Sequence, residues 1–291
     1  MLANSREHNI YQWRKLKDKL FKGLFFTAIV ISLAALAALL GGILMKGLPY
    51  LTLDFLSSYP SRFAAKAGIK SALAGTFAFI LITGPTAFVV GVLTAVYLEE
   101  YAKKNWLTNL LQLNIANLAG VPSIVYGMLG MVIFVRGLGL GRSVLAGALT
   151  MTLLILPVIV VATQEAIKAV PVALRHASYA LGATTTQTVF RVVLPVAMPG
   201  ILTGTILAVS RALGETAPLI TIGALTYVAF LPTGPMSEFT VLPIQIFNWV
   251  SRPQAAFQDI AAAGIIVLLS IMLLLNGAAI YLRNKYRKPV E

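Results

Sequence analysis

Apolar runs long enough to cross a lipid bilayer recur along the whole chain, and they constrain its fold more than any other feature. A helix needs about 20 apolar residues to span the hydrocarbon core. The run from Phe21 to Leu44 has only Lys22, Thr27 and Ser32 as polar interruptions. Further runs cover 70–98, 107–135, 143–167, 195–229 and 260–282. Lipid offers the backbone no hydrogen-bond partners, so each run predicts a helix. The first run exceeds the apolar core of a signal peptide, about 7–15 residues, and reads as an uncleaved span. The expected fold is an all-α integral membrane protein with six transmembrane helices. Its parts are a basic cytoplasmic N-terminus (1–20), a first transmembrane helix (21–45), an outer loop (46–69), a transmembrane domain (70–282) and a basic cytoplasmic tail (283–291).

Composition narrows the function. Hydrophobic residues make up 58% of the 291 and charged residues 11%, against about 45–50% and about 25% in soluble chains. A large soluble catalytic domain has no room. Cys is absent and the two His, His8 and His176, are far apart. A disulfide framework, a thiolate site and a Cys nucleophile are excluded, and no metal site is expected. The net charge of +13 would suit a nucleic-acid binder. In a polytopic protein it reads instead as topology and contact with lipid headgroups, because Lys and Arg collect in cytoplasmic loops. With the N-terminus inside, the inner segments hold 15 basic residues and the outer ones 7, with Arg211 left in a span. Both termini are therefore expected in the cytoplasm of a bacterial cell, the chain being a multi-pass protein of its inner membrane.

Pro85, Pro122, Pro157 and Pro218 each fall in an apolar run. Proline removes a backbone donor and clashes with the preceding turn, so kinks or breaks are expected at all four. In membranes such breaks persist in kinked packing or beside a water-filled path.

The segment between the fourth and fifth spans, 168–195, reads KAVPVALRHASYALGATTTQTVFRVVLP. Pro171 suits the first turn of a helix. A short helix across the cytoplasmic membrane face is expected, either docked into a partner's groove or lying on headgroups.

Within the fifth run, Arg211 and Glu215 stand among apolar residues. A charge at the bilayer centre costs at least about 2.5–3.5 kcal/mol on insertion scales. The i, i+4 spacing puts both on one helix face. One reading is a structural ion pair. The other is a ligand site, since Gly214 and Pro218 loosen the helix around Glu215 and broken helices near the midplane are a recurring site design in transporters. Arg offers a planar two-bond fork to phosphate or carboxylate. Thr216 beside Glu215, and Ser123 in the third run, are further candidates for the pathway. Ser123 and Tyr126 fit helix packing equally well, with Gly120, Gly127 and Gly130 as small surfaces. Glu99, Glu100, Lys103 and Lys104 read as a solvated turn. Trp249 and Tyr227 read as interface anchors. Arg252 suits a headgroup or an extracytoplasmic partner.

Two stretches carry a family resemblance. Residues 176–195 resemble the coupling loop of ABC-importer permeases: Glu-Ala-Ala, three residues, Gly, nine residues, then Ile-x-Leu-Pro. His176, Ala177 and Ser178 fill the opening, with His176 at the acidic position. Gly182 is followed by Ala183, and Val192, Leu194 and Pro195 close the motif. The string Arg211-Ala-Leu-Gly-Glu-Thr-Ala-Pro218 is similar to permeases of high-affinity phosphate importers, their A-type branch most. So are Ala95-Val-Tyr-Leu-Glu-Glu-Tyr101, Leu118-Ala-Gly-Val-Pro-Ser-Ile-Val-Tyr-Gly127 and Phe247-Asn-Trp-Val-Ser-Arg-Pro-Gln254. The resemblance implies a non-enzymatic permease that moves inorganic phosphate, with the coupling segment docked on a cytoplasmic ATPase dimer. It also implies a second homologous permease and a periplasmic or surface phosphate-binding protein. No cofactor is expected in the chain, which lacks the Gly-x-x-x-x-Gly-Lys-Ser/Thr phosphate loop; ATP and Mg would sit on the ATPase. The alternatives are a permease of the same family for phosphonate, sulfate or molybdate, a membrane-embedded enzyme, and a channel.

Overall fold

A computed structural model describes residues 2–103, 105–224 and 227–286. Lys104, the step Leu225–Thr226 of the fifth apolar run and residues 287–291 of the basic tail lie outside the described residues. The helices are α1 (Leu2–Gly47), α2 (Leu53–Ser57), α3 (Lys70–Val96), α4 (Trp106–Leu118), α5 (Ser123–Gly130), α6 (Val144–Lys168), α7 (Val172–Ala180), α8 (Thr185–Thr188), α9 (Leu194–Gly214), α10 (Ala217–Ile222), α11 (Leu242–Val250) and α12 (Ala255–Tyr286). Wide π turns extend three of them, at Tyr97–Tyr101, Met131–Gly137 and Val189–Val193. Among the described residues the extended pairing is one isolated bridge, Ser143 with Glu238. Among the described residues, five helices are long and apolar enough to cross a membrane, or six if the bent pair α4 and α5 forms one span. The chain is thus an all-α, multi-pass membrane protein with a short helix, α7, between its fourth and fifth spans.

The centre of the bundle is α3, α6 and α9, joined by Phe79, Ala87, Ile155, Ile159, Ala208 and Ala212. Small residues let the backbones close in. A side chain on Gly200 would meet Ala166 Cβ at 2.9 Å, and one on Gly204 would strike Ala162. These contacts fix α9 antiparallel to α6 and set the register between them. A second cluster gathers Phe55, Leu242, Trp249, Phe257 and Ile260 around the start of α12. A third, with Val96, Ile167, Val189, Val193 and Ile201, closes the end of the bundle that carries α7. The apolar stretch of α1 stays exposed along most of its length, including Leu24, Phe25, Ile29 and Leu36. Lipid or an apolar partner is the solvent such a surface requires.

The structure departs from the sequence expectations at several points. The third run is not one helix: α4 and α5 meet at 107° across Ala119–Pro122. The Tyr126 hydroxyl donates to Leu118 O at 2.8 Å and pins the corner. The fifth run is not one helix either. Its span begins earlier, at Thr185, where Thr184 and Gln187 form a capping box, and it ends at Gly214. By contrast, Pro85 and Pro157 lie inside continuous helices. Fully buried Ile155 and Ile159 flank the buried Pro157, and α6 continues through it. Trp249 is no interface anchor. It is fully buried, its ring 5.9 Å from that of Phe55, because α11 folds back onto the second cluster. Tyr227 is exposed, as an anchor requires, and its hydroxyl donates to Pro60 O.

Candidate translocation site and docking face

The α9 helix stops because Gly214 is followed by an extended residue. Glu215 has φ −77° and ψ 130°, and Pro218 in the first turn of α10 lacks the N–H that would continue the α9 ladder. α10 then runs only to Ile222, where Gly223 turns the chain at φ +88°. Only glycine adopts that left-handed conformation at little cost.

The height of this break follows from the register. Residue 200 lies against 166 and residue 204 against 162. Continuing seven residues brings Arg211 level with Ile155, near the midpoint of α6. Val209 likewise lies beside Gly84, in the middle of α3, at 3.9 Å. The break and its charges therefore sit at mid-height of the bundle.

Arg211 occupies the last turn of α9, where a cation complements the exposed carbonyls. Its Nε donates to Glu215 Oε1 at 3.3 Å. The pair is real, but lopsided. Glu215 is 20% exposed, whereas the Arg211 side chain is 53% exposed. No other acceptor among the described residues reaches the guanidinium, so its outer edge is open. It projects on a face that also carries exposed Leu207, one turn away. Thr216 is half-buried at the start of α10. Ser123, also half-buried, opens α5. α5 and α10 meet directly: a side chain on Gly127 would strike the Thr221 hydroxyl and reach Pro218 Cα at 2.6 Å. Arg211, Gly214, Glu215, Thr216 and Pro218 are thus gathered at one break, with Ser123 a turn beyond the α5–α10 contact and in no hydrogen bond with them.

At the far end of the bundle, α7 is two-faced. Leu174 packs on the third cluster, while Arg175 and Ser178 face inward to polar partners. Val172, His176 and Tyr179 lie at i, i+4 and i+7 on the outer face, all exposed. Leu181 beyond them is 89% exposed. Ala177 is exposed too, and Ser178 and Ala183 are half-buried. Gly182 has φ +79° with open space where a side chain would stand. Val192 and Leu194 are half-buried, and Pro195 is exposed in the first turn of α9.

The expected solvated turn at Glu99 and Glu100 is overturned. Glu100 is 7% exposed and faces Arg175 NH1 at 2.9 Å. The contact lies off the hydrogen-bond axis and acts as charge on charge. Glu99 accepts from Gln164 Nε2 at 2.9 Å and lies 3.6 Å from Lys168. Arg252 stacks over the Phe257 ring at 4.3 Å. Local sequence carried no sign of the pairing of residues 100 and 175.

The chain is similar to known proteins over most of its length. The profile of the family described as "Binding-protein-dependent transport system inner membrane component" matches residues 87–288. The probable ABC transporter permease YqgI of Bacillus subtilis (strain 168) is 36% identical over 95% of this chain and 98% of its own length. The phosphate transport system permease PstA 1 of Mycobacterium tuberculosis (strain ATCC 25618 / H37Rv) is 33% identical over 93% of this chain and 88% of its own. PstA of Yersinia pestis is 31% identical over 94% and 93%. The fold is shared with the inward-facing MetNI methionine ABC transporter, at TM-score 0.60 and 18% identity, over 75% of this chain and 97% of that one. The chain belongs to the binding-protein-dependent transport system inner membrane component family and is a membrane-embedded transport subunit, not an enzyme.

Proposed function

We propose that this chain is the permease through which an ATP-driven importer moves inorganic phosphate across the bacterial cytoplasmic membrane. The observation that carries the reading is the half-exposed Arg211 guanidinium at mid-height of an apolar bundle. A charge facing lipid there is too costly to persist. Its face is instead covered by a second, homologous permease, with a water-filled path between the two. An open guanidinium edge in that path selects oxyanions. Glu215 steadies the fork and accepts a hydrogen bond from the hydroxyl of hydrogenphosphate, a donor that sulfate lacks. That difference favours phosphate over sulfate and molybdate. The phosphate transport names of relatives similar over nearly the whole chain support the same substrate.

The excess of basic residues in the segments at the α7 end supports a cytoplasmic position for both termini and for α7. There the exposed row Val172, His176 and Tyr179 docks a dimer of ATP-binding subunits, which bring ATP and Mg. A phosphate-binding protein delivers substrate at the opposite face, and lipid surrounds the exposed apolar exterior. Purification of the tagged chain from its native membrane checks the assembly. An ATPase and a second polytopic subunit are expected to co-purify. Recovery of the chain alone as an active transporter would reject the proposal.

A further inference from the structure

Three consecutive side chains at the end of α3 grip three consecutive pieces of the chain. Glu99 holds Gln164 and Lys168 at the end of α6. Glu100 holds Arg175 on α7. The Tyr101 hydroxyl donates to Thr186 Oγ1 on α8 at 3.3 Å. In a regular α-helix neighbouring side chains diverge by about 100°, so residues 99 and 100 would not both turn inward so readily. Both lie in the π turn Tyr97–Tyr101, closed by Ala102 N to Tyr97 O, whose wider turn narrows that divergence. π turns of this kind are frequent at functional sites.

Arg175 completes the clasp. Its NH2 group donates to Ile167 O at 2.9 Å, in the last turn of α6, while its NH1 faces Glu100. One guanidinium therefore ties α7 to α3 and α6 at once. Ser178, one turn on, shares a 2.9 Å hydrogen bond with Thr188 on α8. The inward face of α7 is thus bonded to the α7 ends of three spans, and its outward face is bare. Charges held at low exposure are costly unless paired. A helix that only rested on headgroups would not require them.

We infer that Glu100 and Arg175 are positioning residues that carry movement of α7 into the second and fourth spans, so that these move with α7 as one rigid body. The inference rests on the reading of α7 as the ATPase dock. The geometry on which it stands is independent of which oxyanion is carried.

The chain has no Cys, so introduced thiols report selectively within it. Spin labels at Lys103→Cys and Ala173→Cys, both exposed positions, measure the distance between the end of α3 and α7 in the intact complex. In the otherwise native chain that distance is expected to stay the same between nucleotide-free and ATP-bound complexes. In Glu100→Gln it is expected to broaden or shift with nucleotide. Phosphate carried per ATP hydrolysed is expected to fall about tenfold in Glu100→Gln at equal complex assembly, within the range by which coupling residues act. Arg175→Gln with Glu100→Gln is expected to be no worse than Arg175→Gln alone, as for two groups acting through one contact. A distance that changes with nucleotide in the otherwise native chain overturns the inference, even if Glu100→Gln fails to assemble. So does normal coupling in an assembled Glu100→Gln complex, or a loss of uptake that only tracks lost assembly. Failure of the docking reading shows separately, as native preparations that lack the ATPase.

Discussion

Replacement of Arg211 by Lys is expected to leave the complex assembled and to remove most phosphate uptake. The guanidinium offers two parallel donors from a rigid plane, whereas an ammonium is a compact charge with three rotatable donors and no planar fork. Hydrogen bonds to charged groups contribute about 1.5–3 kcal/mol each. An ammonium can replace one of the two, and loss of the other predicts a fall of at least about tenfold in uptake per assembled complex. The ion pair with Glu215 at 3.3 Å supplies the control. A purely structural pair would be rescued by removing both charges, since the harm of a single change is the stranded partner. A ligand site would not. Arg211→Ala with Glu215→Gln is therefore expected to assemble well and carry no phosphate. Recovery of uptake in that double variant would make the pair structural and the site assignment wrong.

Replacement of Gly182 by Trp is expected to uncouple ATP hydrolysis from uptake while membrane insertion stays intact. Two requirements meet at this glycine. Its φ of +79° favours a residue without Cβ, and no atom of the described residues lies within 4 Å of where a Cβ would stand. Asn separates them, because it tolerates the left-handed conformation yet adds bulk. Gly182→Ala strains the backbone by about 1 kcal/mol or somewhat more with little added volume. If a partner backbone approaches here, activity is expected to follow size, with Ala best, Asn worse and Trp inactive. If conformation alone matters, Asn is expected to outperform Ala. ATPase activity and uptake, measured on the same preparations, give the order.

What the sequence revealed and what it hid divide along physical lines. The spans were legible because lipid leaves a backbone no alternative to internal hydrogen bonding. The break after Gly214 was legible from local chemistry, a glycine and a proline flanking a charge. The short α7 followed from Pro171 and the less apolar composition around it. Other features depend on distant residues. Pro85 and Pro157 do not end their helices, which carry buried, packed residues on both sides of the proline. Trp249 is buried because α2 and α12 close over it, which no pattern within 247–254 announces. The clasp of Glu100 on Arg175 joins residues from different helices, and a pair of acids beside lysines reads locally as a solvated turn. The bend of 107° between α4 and α5 was signalled at Pro122 but not in angle. That angle is set by the Tyr126 bond to Leu118 O and by the seating of Gly127 on α10.

Selection of phosphate by a guanidinium in a broken helix, in an ATP-driven path, can be read in a transport assay. The most direct test is uptake of labelled phosphate into vesicles that hold this chain with its co-purifying subunits and the binding protein. Uptake is expected to require ATP and to resist excess sulfate or molybdate. Uptake that proceeds without ATP, or that either competitor abolishes, would contradict the proposal.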